Sequence, residues 1–247
     1  MAPITNVDRD RLYTDLMYRY EYVSTFVGFD KADVAAIKAA APYIGPLVPA
    51  IVDAMYNHTF SFDITKKVFL QKGEGFHGPI STSLDALSTN DAHIQFRKRF
   101  MAKYLVKLLT AEYDAHFIAY LDYVGRIHTD TPTKKSKINV EYIHLNALMG
   151  WLQAHLLALV ETIPRFQEDS KLRAETKGAL SKLLWIQNDF FVMYYLRDSE
   201  VFRGHGNPEK VPGVAPVYLV EKPGVFALTM ASVAAVSVLV TLHFIKR

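Results

Sequence analysis

From Asp8 to Leu196, large apolar side chains recur three or four residues apart, and no stretch before residue 210 alternates apolar with polar side chains as a half-buried strand would. Such a chain can bury its apolar faces only by packing helix on helix. The expected class is therefore all-α, with seven or eight helices.

The helices can be placed from their punctuation. Leu12, Leu16, Tyr20 and Val23 lie at near-helical spacing in a first helix over residues 8–27. Asp30 has the chemistry of an N-cap for the strong helix formers that follow, and Pro42 is expected to interrupt that run. A third helix spans residues 45–60, with Val48, Ile51, Val52, Met55 and Tyr56 on a wide apolar face. A short helical turn over 63–70 leads into the Gly/Pro-marked loop 71–79. The cap chemistry of residues 88–91 opens a helix to Thr110 that turns Phe96, Phe100, Met101, Tyr104, Leu105 and Leu108 inward. A helix from Glu112 to His128 follows, then one over 139–163 ending at Pro164, and a last long one over 169–196.

Half of the 247 residues are hydrophobic, enough for one large core. The net charge is +3 and no helix carries a basic face with interleaved aromatics, so nucleic acid is not an expected partner. The chain has no cysteine, which removes disulfides, thiolate nucleophiles and iron–sulfur ligation together. The first ten residues contain no apolar core of a secretory signal.

One position stands out among the nine histidines. Phe117, Leu121, Val124 and His128 share a face, and Pro132 stops the helix just beyond, so a histidine lies at the inner edge of a helix end beside a polar loop. It fits either a satisfied core histidine or an axial ligand to a metal or haem iron. Gly125 weakens the helix by about 1 kcal/mol relative to alanine, but it lets a bulky or flat group approach the backbone. Rival metal sets are incomplete. Glu141 and His144 have Glu-x-x-His spacing at a helix start, whereas Glu74 and His77 repeat it in a glycine-rich loop, so a di-iron bundle is not formed. His58, His93, His116, His155 and His205 lack partners at ligand spacing. No phosphate loop, nucleophile elbow or His-Glu-x-x-His motif occurs.

The helix end Val124–His128, the run Arg97–Phe100, the segment Val52–Tyr56 and the aromatic first helix with Tyr18, Tyr20 and Tyr22 together resemble the protoglobin and globin-coupled-sensor family across residues 10–197. The resemblance implies a globin fold with an extra N-terminal helix and haem b as cofactor. His128 is then the proximal ligand of the haem iron. Tyr56 is implied as the distal hydrogen-bond donor to bound dioxygen, and Phe100 as the aromatic shielding that face. Met55, Phe96, Tyr104, Val124 and Gly125 complete the implied haem-contacting set, with Gly125 passing close to the haem edge. Met55 departs from members that carry tryptophan there. The polar loop after His128 would be the first to feel an iron-linked movement.

Residues 201–223 form a Gly/Pro-rich linker, and residues 224–245 carry no formal charge. About 22 helical residues span about 33 Å, the thickness of a hydrocarbon core. The expected organisation is a haem domain over 1–200, then the linker, then a single-pass C-terminal membrane anchor leaving the globin in the cytosol. The sensors of this family fuse further signalling modules, for which little chain follows residue 200. The expected activity is reversible binding of O2, CO or NO by a membrane-tethered sensor or buffer, with the gas and the membrane as partners. The alternative is a haem-dependent NO dioxygenase or peroxidase needing an external reductase. A homodimer through the last two helices is also consistent with the family.

Overall fold

Local chemistry starts and stops each helix in the computed structural model, which describes residues 4–73, 75–129 and 140–195. The expected first helix is two. Asp15 adopts an extended conformation (φ −124°, ψ 104°) between α1 (Arg9–Thr14) and α2 (Leu16–Val27), and its carboxylate accepts the Tyr18 N–H as the cap of α2. A carboxylate that can satisfy an orphan helix donor makes a break affordable where apolar periodicity alone continues. Asp30 and Asp33 form a reciprocal capping box at the start of α3 (Lys31–Ile44). Pro42 does not interrupt this helix. It lies two residues from the C-terminal end, where one lost backbone hydrogen bond matters little.

A 3-10 turn, Gly45–Leu47, leads into α4 (Val48–Phe60), with proline in its first turn. The short α5 (Asp63–Lys67) and a second 3-10 turn, Val68–Leu70, follow. At α6 (Ala92–Thr110), Asp91 occupies the cap position without capping, because its carboxylate accepts the Ser81 hydroxyl instead. Then come α7 (Ala115–Arg126) and α8 (Tyr142–Thr162). Pro164 opens a further short helix, α9 (Pro164–Glu168), before α10 (Ser170–Tyr195). The described residues thus hold ten α-helices and no strand.

The hub is α10, which packs on α3, α7, α8 and, less extensively, α2 and α9. Leu180, Leu183, Ile186 and Phe190 are its fully buried contribution to the core. Arg19 of α2 holds Asp189 of α10 through two bonds of 2.7 Å, and Lys182 of α10 reaches both Asp33 and the Gly28 carbonyl. In contrast, α6 takes its support from α3 and α4.

Two stretches, Lys31–Phe60 and Tyr142–Thr162, are long and apolar enough to cross a membrane by length and composition. Both contribute core residues here, among them Ile37, Val52, Leu152 and Val160. The linker 201–223, the apolar segment 224–245 and the loop 130–139 lie outside the described residues.

Candidate functional site

Two turns of hydrogen bonding beyond Arg126 carry the chain to His128, whose N–H donates to the Gly125 carbonyl at 3.3 Å. The imidazole Nδ1 lies 2.7 Å from the Val124 carbonyl. A carbonyl oxygen can only accept, so Nδ1 carries the proton and Nε2 is the basic nitrogen of the neutral ring. This tautomer and this backbone partner are those that orient a histidine for a metal. The ring meets Phe191 edge to face at 5.2 Å and 85°.

The close approach at Gly125 is made by protein. A Cβ there would lie 2.4 Å from the Phe190 carbonyl oxygen, so the glycine seats α7 against the backbone of α10. The expectation that Gly125 passes a haem edge is thereby corrected: the side it opens is filled by α10.

Tyr56 and Met55 are buried on α4. The Tyr56 ring packs on Phe69 at 5.6 Å, with the Lys98 Nζ 5.8 Å from its centroid. Burial pushes its phenol up to about 12, slightly offset by the nearby Arg97 charge, so the hydroxyl stays a donor at neutral pH. Lys98 itself is buried and paired with Asp53 at 2.8 Å.

On α6, Phe96 packs between Phe76 (5.5 Å) and Phe100 (4.8 Å). Phe100 is 56% exposed, not turned inward with its neighbours. The reason is angular: α3 and α4 bury the face of Ile94, Leu105, Leu108 and Leu109, and Phe100 lies about 140° around the helix from Leu105. Tyr104, also on α6, is directed elsewhere. Its hydroxyl donates to Gln187 Oε1 at 3.1 Å, and Gln187 Nε2 donates to the Leu121 carbonyl at 3.4 Å, a buried link among α6, α10 and α7.

These placements define two arms. α6 and α7 meet near their shared corner, where Tyr104 faces Tyr120 at 6.4 Å and Lys107 caps the Tyr120 ring at 3.9 Å. Neither helix packs on the other along its length; α6 rests on α3 and α4, and α7 on α10 and α2. The Nδ1-protonated imidazole of His128 at the end of α7 leaves Nε2 as a basic donor for a metal. The described residues contain no cluster of three or more metal-ligating side chains, and one fixed imidazole suits a metal that brings its own equatorial donors, as in haem.

Sequence reading missed three groups. Tyr194 donates to Asp122 at 2.5 Å, and Tyr195 reaches the carbonyls of Val140 and His128. Burial pushes both phenols well above the usual range, so they remain donors. Trp151 is sandwiched between His58 (4.7 Å, 11°) and His155 (4.8 Å, 12°), joining α4 to α8. Only the four-residue spacing of Trp151 and His155 was a signal; the other partners lie far apart in sequence.

No curated protein matches the chain. A solved structure, the globin domain of a Geobacter sulfurreducens globin-coupled sensor, is similar in fold, with a TM-score of 0.54 at 18% identity over 71% of this chain and 96% of that one. The protoglobin family profile matches residues 16–200. With most of its length matched and a globin-like fold, the chain belongs to the protoglobin family, and membership implies haem-based gas binding.

Proposed function

We propose that this protein binds haem b through His128 and reversibly holds a diatomic gas, O2, CO or NO, as a sensor or buffer. The observation that carries this reading is the His128 Nδ1–Val124 carbonyl bond at the end of α7, which assigns Nε2 as the basic nitrogen. Haem held by His128 would supply an iron able to bind a diatomic gas.

The remaining work belongs to side chains. The Val124 carbonyl and the Phe191 edge restrain rotation of the imidazole. The Tyr56 hydroxyl, held protonated by burial, is the donor for a polar gas. Phe96 and Phe100 provide apolar surface that excludes water on the α6 side. The apolar segment 224–245 supports a C-terminal anchor that tethers the domain to a membrane with the globin in the cytosol. The 54%-exposed Trp185, beside a shallow groove lined by Met149, Gly150 and Leu184, supports a homodimer through α8 and α10.

Absorption spectra of the purified chain with and without dithionite and CO test the reading. A Soret band that shifts with reduction and CO, and that is lost or altered in His128→Ala, is expected. Normal haem loading with an unchanged spectrum in that variant would overturn the assignment of His128.

A further inference from the structure

The last turns of α10 lie along the end of α7 with successive contacts. Gln187 donates to the Leu121 carbonyl, the Phe190 carbonyl fills the space at Gly125, Phe191 meets the His128 ring, and Tyr194 donates to Asp122. Among the described residues, the last of these contacts is made by Tyr195. Its single hydroxyl proton is shared between two acceptors, the Val140 carbonyl at 2.5 Å and the His128 carbonyl at 3.2 Å. The Val140 N–H also donates to the His128 carbonyl at 3.0 Å, so both ends of the 128–140 connection are pinned at one phenol.

We propose that Tyr195 is a positioning residue for the His128 imidazole and makes the C-terminal turn of α10 respond to displacement of that ring. The inference rests on the reading of His128 as iron ligand. Rotation of the ring is restrained by Val124 and Phe191, so a pull along Nε2 is taken up by the backbone of residue 128. The His128 carbonyl accepts the Val140 N–H at 3.0 Å and the longer arm of the Tyr195 bond at 3.2 Å, so Tyr195 is its link to α10 among the described residues. The two arms are unequal, and a hydrogen bond beyond about 3.5 Å is lost. A shift of the His128 carbonyl by a few tenths of an ångström therefore transfers the proton wholly to Val140 and releases the end of α10 from the ligand. The arrangement has two discrete states of one donor, which is what a displacement needs to be passed on as a signal. Tyr195 also packs against Tyr142 with the rings tilted at 42° and 5.4 Å apart, a contact that phenylalanine would keep.

The test uses the full-length haem-loaded chain and three readouts. In Tyr195→Phe, haem loading should persist, the iron–histidine stretching band of the ferrous protein should shift and broaden, and the CO dissociation rate should change by about tenfold, as when an outer partner of a metal ligand is removed. Tyr194→Phe, which disturbs the same seam without touching His128, should leave the band in place. A variant-free measurement compares hydrogen exchange at the Val140 amide with and without CO, and the two states should differ. An unchanged band in Tyr195→Phe, an equal shift in Tyr194→Phe, or identical Val140 exchange would each overturn the proposal while leaving haem ligation standing. A wild-type chain that takes up no haem would instead sink the functional reading itself, and this inference with it.

Discussion

The seam between α7 and α10 and the exposed face of α6 are built from different interactions. At the seam, backbone meets backbone at Gly125, and directional hydrogen bonds link Gln187 to Leu121, Tyr194 to Asp122 and Tyr195 to His128. In contrast, α6 presents rings and cations: Phe96 against Phe100, and Lys103 5.6 Å from the Phe100 centroid. Hydrogen bonds fix an atom to within a few tenths of an ångström, whereas ring and cation contacts tolerate sliding. The α7–α10 seam is thus set rigidly, and the α6 face can adjust.

The largest test of this contrast is a pair of glycine substitutions. Gly125→Ala should destabilise the fold by about 3 kcal/mol, because its Cβ would meet backbone that cannot rotate away. Gly150→Ala, in α8 with nothing within 4 Å, should stabilise it by about 1 kcal/mol through helix propensity. Denaturant titrations of both measure the difference, and equal effects would break the claim of a tightly seated seam. Next, Gln187→Leu leaves the buried Tyr104 hydroxyl without its acceptor and should cost about 2 kcal/mol by the same titration.

Alkaline pH acts on α4. The Tyr56 phenol ionises near 10 in the unfolded chain and near 12 when buried. Below pH 10 both states keep the proton; between 10 and about 12 mainly the unfolded state loses it, so Tyr56's contribution to stability falls as pH rises through that window. Comparing the alkaline melting profiles of wild type and Tyr56→Phe isolates the effect, which the variant should lack. The smallest change in stability is expected for Phe100→Ala, within about 0.5 kcal/mol, since the ring is 56% exposed. Its autoxidation rate as a ferrous haem protein should nevertheless rise if Phe100 covers the gas side. A large loss of stability would mean that α6 is as firmly packed as the seam.

Sequence periodicity was a good guide wherever a helix face is decided by local chemistry. Asp30 with Asp33, the proline at the start of α4 and the run into α10 all act within a few residues, and each boundary is close to where pattern placed it. It failed where a distant partner decides. Asp91 gives its carboxylate to Ser81, Phe100 is left outside because α3 and α4 claim another face, and Gly125 is a glycine because of Phe190, 65 positions on. His128 was legible as a helix-end histidine, but the bond that sets its tautomer requires the carbonyl of Val124 to turn toward it. Tyr195 could not be found at all, since nothing in its neighbourhood marks a residue that closes a connection starting 67 positions earlier.

The position of α10 as hub also bears on how the chain is made. The helix that packs on α2, α3, α7 and α8 is the last of the described helices to be synthesised. A nascent chain ending before Ser170 lacks the helix against which α7 chiefly packs, and with it the Asp189 carboxylate for Arg19, the Lys182 ammonium for Asp33 and the Phe190 backbone at Gly125. Such long-range closure slows folding and leaves the earlier helices with unburied apolar faces during growth. Completion of the core therefore waits for α10.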